Sequence, residues 1–357
     1  MEGTIKQDLI YKKRDCIGID IGTNSVKVVQ LKKKKKFVKL IGYVTKKLPS
    51  NLMIEGIISD PEELAKIIRE MISQISKGGS KPEKVLASIP DSRIFTRVLE
   101  LPPMEEKEMK EAILWEADQA VPMALTDLVV DWKVLGPSLA KDGSNDVLLM
   151  AAPLGIVNTY VQLFNILDLQ PEAIESSLCS IVRSLVSNKE QDEVVIIADI
   201  GGTATNLGVY DTALRFSDTV DVGGQKITEA IAEDMKISEE KAEKLKVDEG
   251  LKNSNVKEIL RPLLGNLQSG IKKVIKYYQE KSNGTRKVEK VILCGGSSNL
   301  SGLTEFLASE LGIEVKVGNP WVNINTYPLK CVPRNEVPSF ANAIGLSLRG
   351  IEEEKLA

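Results

Sequence analysis

The stretch Val194-Val195-Ile196-Ile197-Ala198-Asp199-Ile200-Gly201-Gly202-Thr203-Ala204-Thr205-Asn206-Leu207-Gly208-Val209-Tyr210 decides how this chain is read. Its first five residues are an unbroken apolar run, the pattern of a strand buried on both faces. Asp199 ends the run. Gly201 to Thr205 makes a turn in which a glycine takes positive φ without steric cost. Asn206 to Tyr210 then reads as a returning strand. A carboxylate beside exposed backbone N–H groups suits magnesium and phosphate: the N–H groups point at the anion and the acid holds the cation's water shell. By itself, such a turn fits a plain hairpin equally well.

The chain repeats the layout. Cys16-Ile17-Gly18-Ile19-Asp20-Ile21-Gly22-Thr23-Asn24-Ser25-Val26-Lys27-Val28-Val29 is again a buried strand, an Asp-Ile-Gly turn with small polar residues, and a strand. Two copies suggest duplicated halves that clamp one ligand. A third glycine turn, Cys294-Gly295-Gly296-Ser297-Ser298-Asn299, follows the apolar run Val291-Ile292-Leu293 and leads into a helix. Glycines there let a flat ring lie against backbone at a helix N-terminus.

These three motifs, in this order, resemble the phosphate 1, phosphate 2 and adenosine motifs of the actin, sugar-kinase and chaperone ATPase superfamily. The resemblance implies an α/β, actin-like (ribonuclease H-like) duplicated fold, with two lobes around a nucleotide cleft and with ATP and Mg²⁺ as cofactors. Asp20 and Asp199 would face each other and hold the metal, mostly through water. Gly22, Thr23, Asn24 and Ser25 would offer donors to the β- and γ-phosphates, and Gly201, Gly202, Thr203 and Thr205 would do so from the other side. Gly295, Gly296 and Ser297 would back the α-phosphate and adenine. Glu243 and Lys246 match a segment that touches ribose and adenine in bacterial actins; the alternative is an ordinary charged helix face. Glu175 lies where the superfamily positions the attacking water, and in a chain without histidine a carboxylate is the obvious base; the alternative is a surface helix residue. No P-loop pattern occurs.

Composition narrows the class. At 357 residues the chain is too long for one ordinary core. Apolar residues make up 43% and charged ones 27%, as in a soluble globular protein. A net charge of −3 with 4% aromatics argues against nucleic-acid binding. Four scattered cysteines read as reduced thiols in a cytoplasmic protein. With no histidine, imidazole-base and His-zinc chemistry are excluded. No apolar run reaches transmembrane length.

In chain order, residues 1–14 are polar and expected to lack fixed structure. Lys32 to Lys36 read as a solvated hairpin tip or, alternatively, as a contact for anionic lipid. Residues 15–91 and 168–190 form lobe I, with a part from 335–350. Residues 191–334 form lobe II. Residues 92–167 are an inserted strand-helix-strand-strand-helix subdomain: a strand near Arg93–Leu101, a helix over Met104–Val121, strands Leu128–Leu135 and Asp146–Ala152, and a helix Ile156–Leu167. The insertion, with the helix Glu111-Ala112-Ile113-Leu114-Trp115-Glu116-Ala117-Asp118-Gln119-Ala120-Val121-Pro122 and the closing segment Pro338–Arg349, resembles the type IV pilus assembly protein PilM family. That resemblance implies a cytoplasmic ATP-binding component, peripheral to the inner membrane through its partner. The implied partner is the N-terminal cytoplasmic peptide of PilN, docked in a groove beside the insertion; pilus motor or platform proteins are further candidates. A membrane-tethered cell-division actin homologue fits less well, because the C-terminal residues Gly350–Ala357 are acidic and short rather than an amphipathic anchor. A type II secretion actin-like component is the other alternative; no transmembrane helix follows.

Overall fold

The computed structural model describes residues 16–34, 37–49, 51–54, 56–76, 81–139, 143–187, 190, 192–322, 324–327 and 336–351. The polar segment 1–14, Lys35 and Lys36 of the lysine run, Cys331 and the acidic residues 352–357 lie outside these.

The chain opens with β1 (Cys16–Ile21), β2 (Ser25–Lys33) and β3 (Val38–Lys47). A short hairpin, β4 (Met53–Ile54) and β5 (Ile57–Ile58), leads to α1 (Pro61–Ser76) and β6 (Lys84–Ile89). A unit of β7 (Phe95–Leu101), α2 (Glu106–Ala120), β8 (Leu128–Pro137) and β9 (Asn145–Pro153) follows. After it come α3 (Leu154–Leu167), β10 (Gln170–Ser176) and α4 (Ser177–Leu185). The second lobe holds β11 (Val195–Ile200), β12 (Thr205–Asp211), β13 (Ala213–Val220), α5 (Gly224–Met235), α6 (Glu239–Asp248), α7 (Ser254–Lys281), β14 (Lys290–Cys294), α8 (Leu303–Leu311) and β15 (Glu314–Val317). The chain then returns to the first lobe through β16 (Ile324–Asn325) and α9 (Ala341–Arg349).

The two large sheets share one plan. Their orders are β10-β6-β1-β2-β3-β16 and β13-β12-β11-β14-β15. Read backwards, the second runs β15-β14-β11-β12-β13, matching β10-β6-β1-β2-β3 strand for strand. Orientation agrees too: the hairpins β1–β2 and β11–β12 are antiparallel, and β1–β6 and β11–β14 are parallel. The doubled motif in the sequence is therefore a doubled lobe.

Each sheet is covered on both faces, which is why its central strands are continuously apolar. In lobe I, α1 and α3 bury Leu64, Ile68, Met71, Tyr160, Leu163 and Phe164 against Ile17, Ile19 and Val85. The opposite face takes α9, whose Ala343 and Ile344 pack on Val29. In lobe II, α5, α7 and α8 cover Ile196, Ala198 and Leu293 with Ile231, Leu260, Ile271 and Leu307. The other face, Val195 and Ile197, takes α4 through Leu178 and Ile181. Thus α4 and α9 are the inner helices, and they cross tightly: a Cβ on Gly345 would stand 1.8 Å from the Ser180 carbonyl oxygen.

The inserted sheet, β7-β9-β8, faces α2 with Leu99, Val147 and Leu149 around Ile113 and Ala117. Its other side, through Leu148 and Met150, joins the core around α4 and lobe II. The seam is also ionic. Asp146 of β9 meets Arg215 of β13 at 2.8 Å, and Glu100 of β7 accepts from Lys281 of α7 at 2.9 Å. A cavity of about 30 Å³ lies between them, lined by Val98, Leu139, Phe216 and Tyr278. The insertion's closing helix, α3, follows β9 in sequence but gives its buried face to the lobe I core, because its apolar stripe meets α1.

Candidate functional site

The site is built from the two hairpin turns. Gly22 N–H donates to Ser25 O at 3.0 Å, and Gly201 N–H donates to Ala204 O at 2.9 Å, one hydrogen bond repeated in both lobes. Register repeats as well: Ile21 opposes Val26 and Ile200 opposes Thr205. Each first strand therefore carries an aspartate one residue before its end, placed across from a polar residue, Asp20 opposite Lys27 and Asp199 opposite Asn206. The turns meet across the cleft. A Cβ on Gly202 would come within 2.8 Å of Asn24 Nδ2.

The third turn closes the same space. Gly295 has φ +86°, and a Cβ there would approach Asp199 Oδ1 and the Ile200 carbonyl to 2.5 Å, so only glycine fits. Ser297 N–H donates to Ile200 O at 3.1 Å. Its hydroxyl lies against Gly224, where a Cβ would meet Ser297 Oγ at 1.9 Å. The first residues of α5 seat on the second turn, with Gly224 N–H on Gly201 O at 2.9 Å and Gln225 N–H on Gly202 O at 2.8 Å. Asp20, Gly22–Ser25, Asp199, Gly201–Thr203, Gly295 and Ser297 thus belong to one cleft. Gly296 follows Gly295 in the third turn and has open space beside it.

The electrostatics are those of a site short of positive charge. Burial, with Asp20 and Asp91 acting the same way, raises the Asp199 carboxyl to about 7 against Lys27 and a hydrogen bond from Asn206. Asp20 is also raised by burial, opposed by Lys27 and by a hydrogen bond from Asn342. Lys27 Nζ stands 3.8 Å from Asp20 Oδ2, with its side chain 12% exposed. Among the described residues no group of three acidic or cysteine side chains is arranged to hold a metal. Two buried carboxylates beside the meeting glycine turns fit a magnesium ion that keeps most of its ligands as water and phosphate, rather than an all-protein cage.

Two expected members do not join. Thr205 is fully buried and donates its hydroxyl to Val222 O at 2.6 Å, so that donor is spent on fixing the entry to α5. Glu175 is on strand β10, not a helix, because residues 170–176 pair in parallel with β6. Its two oxygens are held by Arg183, at 2.8 and 3.2 Å, and by Arg349. A carboxylate clamped on both oxygens by two arginines is held as a structural link between β10, α4 and α9 rather than aimed at a water. Glu243 and Lys246 form a local cluster at the start of α5. Lys246 Nζ meets Glu243 at 2.5 Å and donates to Gly224 O at 3.1 Å, and the Thr228 hydroxyl donates to Glu243 at 2.6 Å. Burial would raise Glu243, but the hydrogen bonds from Lys246 and Thr228 win and its carboxyl is lowered.

Three residues were missed. Lys27 is a cation between the buried Val26 and Val28 of β2, a signal visible in the sequence as a lysine set among valines. Asp91, just after β6, is 5% exposed, accepts from Ser176 and Ser177 at 2.5 Å and from Leu178 N–H at 2.9 Å, and so fixes the start of α4. Asn342 donates to Asp20 Oδ1 at 2.8 Å. Asp91 stands in no motif, and Asn342 lies in the closing segment Pro338–Arg349 with nothing in that segment to single it out.

The family model described as type IV pilus assembly protein PilM matches residues 18–351. The cell division protein FtsA of Streptococcus pneumoniae is 24% identical over 371 residues, spanning 92% of this chain and 79% of that protein. Among solved structures, a chain of a PilM–PilN type IV pilus biogenesis complex matches with TM-score 0.84 and 25% identity, covering 96% of this chain and all of that one. MreB 5 of Spiroplasma citri bound to AMPPNP matches with TM-score 0.53 and 14% identity over 94% of this chain and 96% of that one, a likeness of fold alone. The fold is that of the actin-like ATPases. No helix among the described residues is long and apolar enough to cross a membrane.

Proposed function

The chain belongs to the type IV pilus assembly protein PilM family, and from that membership we propose that it is an ATP-binding, actin-like adaptor of the pilus assembly machine. The observation that carries the nucleotide reading is the meeting of the two Asp-Ile-Gly turns, Asn24 against Gly202, with the Asp20 charge helping to raise the Asp199 carboxyl. In this reading Gly22, Thr23, Asn24 and Ser25 hold one side of the triphosphate and Gly201, Gly202 and Thr203 the other. Lys27 neutralises the phosphates. Asp20 and Asp199 orient the water shell of Mg²⁺, which when bound supplies the positive charge the cleft lacks. Gly295, Gly296 and Ser297 back the α-phosphate and adenine, and Glu243 reaches the ribose from α6. The test is a melting curve of the full chain with and without Mg-ATP. Binding raises the melting temperature by mass action and Asp199→Ala removes the shift; a wild type indifferent to Mg-ATP refutes the reading.

The partner is an N-terminal cytoplasmic segment of a PilN-like inner-membrane protein, held by a few apolar anchors beside the inserted unit. That capture places the protein at the cytoplasmic face of the inner membrane. Family membership supports this reading, and so do Trp115, 63% exposed on α2, and Met123, 41% exposed just after it. Calorimetry with such a peptide and the ATP-loaded protein should give a saturable isotherm that Trp115→Ala weakens. No heat of binding to a well-folded protein would remove the partner and leave the nucleotide reading standing.

A further inference from the structure

Asn342 stands in the first turn of α9 and is 9% exposed. One hydrogen of its amide goes to Asp20 Oδ1 at 2.8 Å and the other to Ser88 Oγ, at the end of β6, also at 2.8 Å. Its oxygen meets the Ser180 hydroxyl on α4. The amide cannot be turned round: the Asp20 carboxylate only accepts, so the NH₂ must face it, and the oxygen is left for the hydroxyl. Three of the amide's hydrogen-bonding positions are thereby filled by three different elements.

This location is unusual within the fold. The chain leaves lobe I along α4 and completes its return, begun at β16, along α9, and the two helices touch at Ser180 and Gly345. Asn342 lies one turn from that crossing. On the other side of Asp20, Lys27 reaches Oδ2 at 3.8 Å, a distance at which it attracts without fixing geometry. The aim of the carboxylate is therefore set from α9.

We propose that Asn342 is a positioning residue for the metal-facing carboxylate, holding Asp20 in the orientation its cation needs and tying that orientation to the α4–α9 crossing. The inference rests on the Mg-ATP reading of the cleft. Partners that orient metal-facing carboxylates commonly change metal affinity 10- to 100-fold when removed.

The experiment titrates MgCl₂ at fixed ATP into the full-length protein and reads the melting temperature. In Asn342→Leu the Mg²⁺ midpoint should rise about tenfold, while the shift given by ATP in EDTA stays as in the wild type. Ser180→Ala, which frees the amide oxygen but leaves the bond to Asp20, should give a smaller rise in the same direction. A merely structural role lowers the melting temperature of both variants and leaves the Mg²⁺ midpoint where it was, and that result overturns the proposal. If Asn342→Leu does not fold, Ser180→Ala decides by the same criterion. A wild type that ignores Mg-ATP overturns the nucleotide reading, and this inference with it.

Discussion

Arg215 of the second lobe holds Asp146 of the inserted unit at 2.8 Å, with their side chains only 8% and 4% exposed. Arg215 also donates to the Asp211 carbonyl at 3.0 Å, and Asp211 accepts from Tyr278 at 2.5 Å and from Arg286 at 2.8 Å. The unit is thus joined by the chain to lobe I and by charge to lobe II. Removing one partner leaves an uncompensated buried charge, which costs about 3–5 kcal/mol. Asp146→Ala should lose stability on that scale in urea unfolding. Asp146→Leu with Arg215→Met should recover most of it, since an apolar pair there leaves no buried charge unpaired.

The crossing of α4 and α9 has no room for a methyl group, because the atom it would strike is a backbone carbonyl oxygen, 1.8 Å away. Gly345→Ala should therefore force the helices apart and cost at least about 2 kcal/mol. Thermal denaturation measures it; a loss under half that value would mean that the crossing yields easily.

Acid chemistry in the ligand-free cleft has a definite sign. Asp199 is raised to about 7 from an ordinary 3.8, so the folded chain binds the proton more tightly than the unfolded one. The resulting stability is complete below pH 4 and is lost as pH rises through 7. Burial raises Asp20 and Asp91 as well, so they act in the same sense. Without nucleotide, the wild type should lose stability between pH 5 and pH 7.5, and Asp199→Asn should flatten that slope. Urea midpoints at the two pH values give the comparison, and a wild-type stability that increases over this interval would contradict the burial of Asp199.

Glu175 makes a contrasting case. Held by Arg183 and Arg349, it links β10 to α4 and α9. Glu175→Gln should destabilise the chain by about 1–3 kcal/mol and leave any ATP turnover, per folded molecule, unchanged. A large drop in turnover with normal stability would restore it as a base.

The residues that could be read from sequence were those whose chemistry is local. Asp20 with Gly22, Asp199 with Gly201, and Gly295 with Gly296 are each a strand end and its own turn, so a few neighbouring letters specify them. The doubling of the lobes followed from the repeat, since two similar hairpins suggest two similar halves. Asn342 and Asp91 were invisible because their partners are distant: Asn342 is 322 positions from Asp20, and Asp91 is 85 from Ser176. Nothing near either residue marks it as polar for a reason. Glu175 departs from its expected helix for a related cause. Residues 170–176 carry no alternating pattern, and only pairing with β6 makes them a strand. Thr205 has the right chemistry in the right motif, but α5 enters beside it and takes its hydroxyl.

Because Ser180 and Gly345 meet at the distance of bare backbone, the lobes have little freedom to slide over one another there. A contact of this kind obstructs sliding more than rotation, so under load it would work as a fulcrum. A slight tilt at the pivot becomes a wide swing at the far rim of each lobe. On the nucleotide reading proposed above, a partner gripping the outer surface of the protein would feel a change at the phosphates as displacement, without any contact between the two.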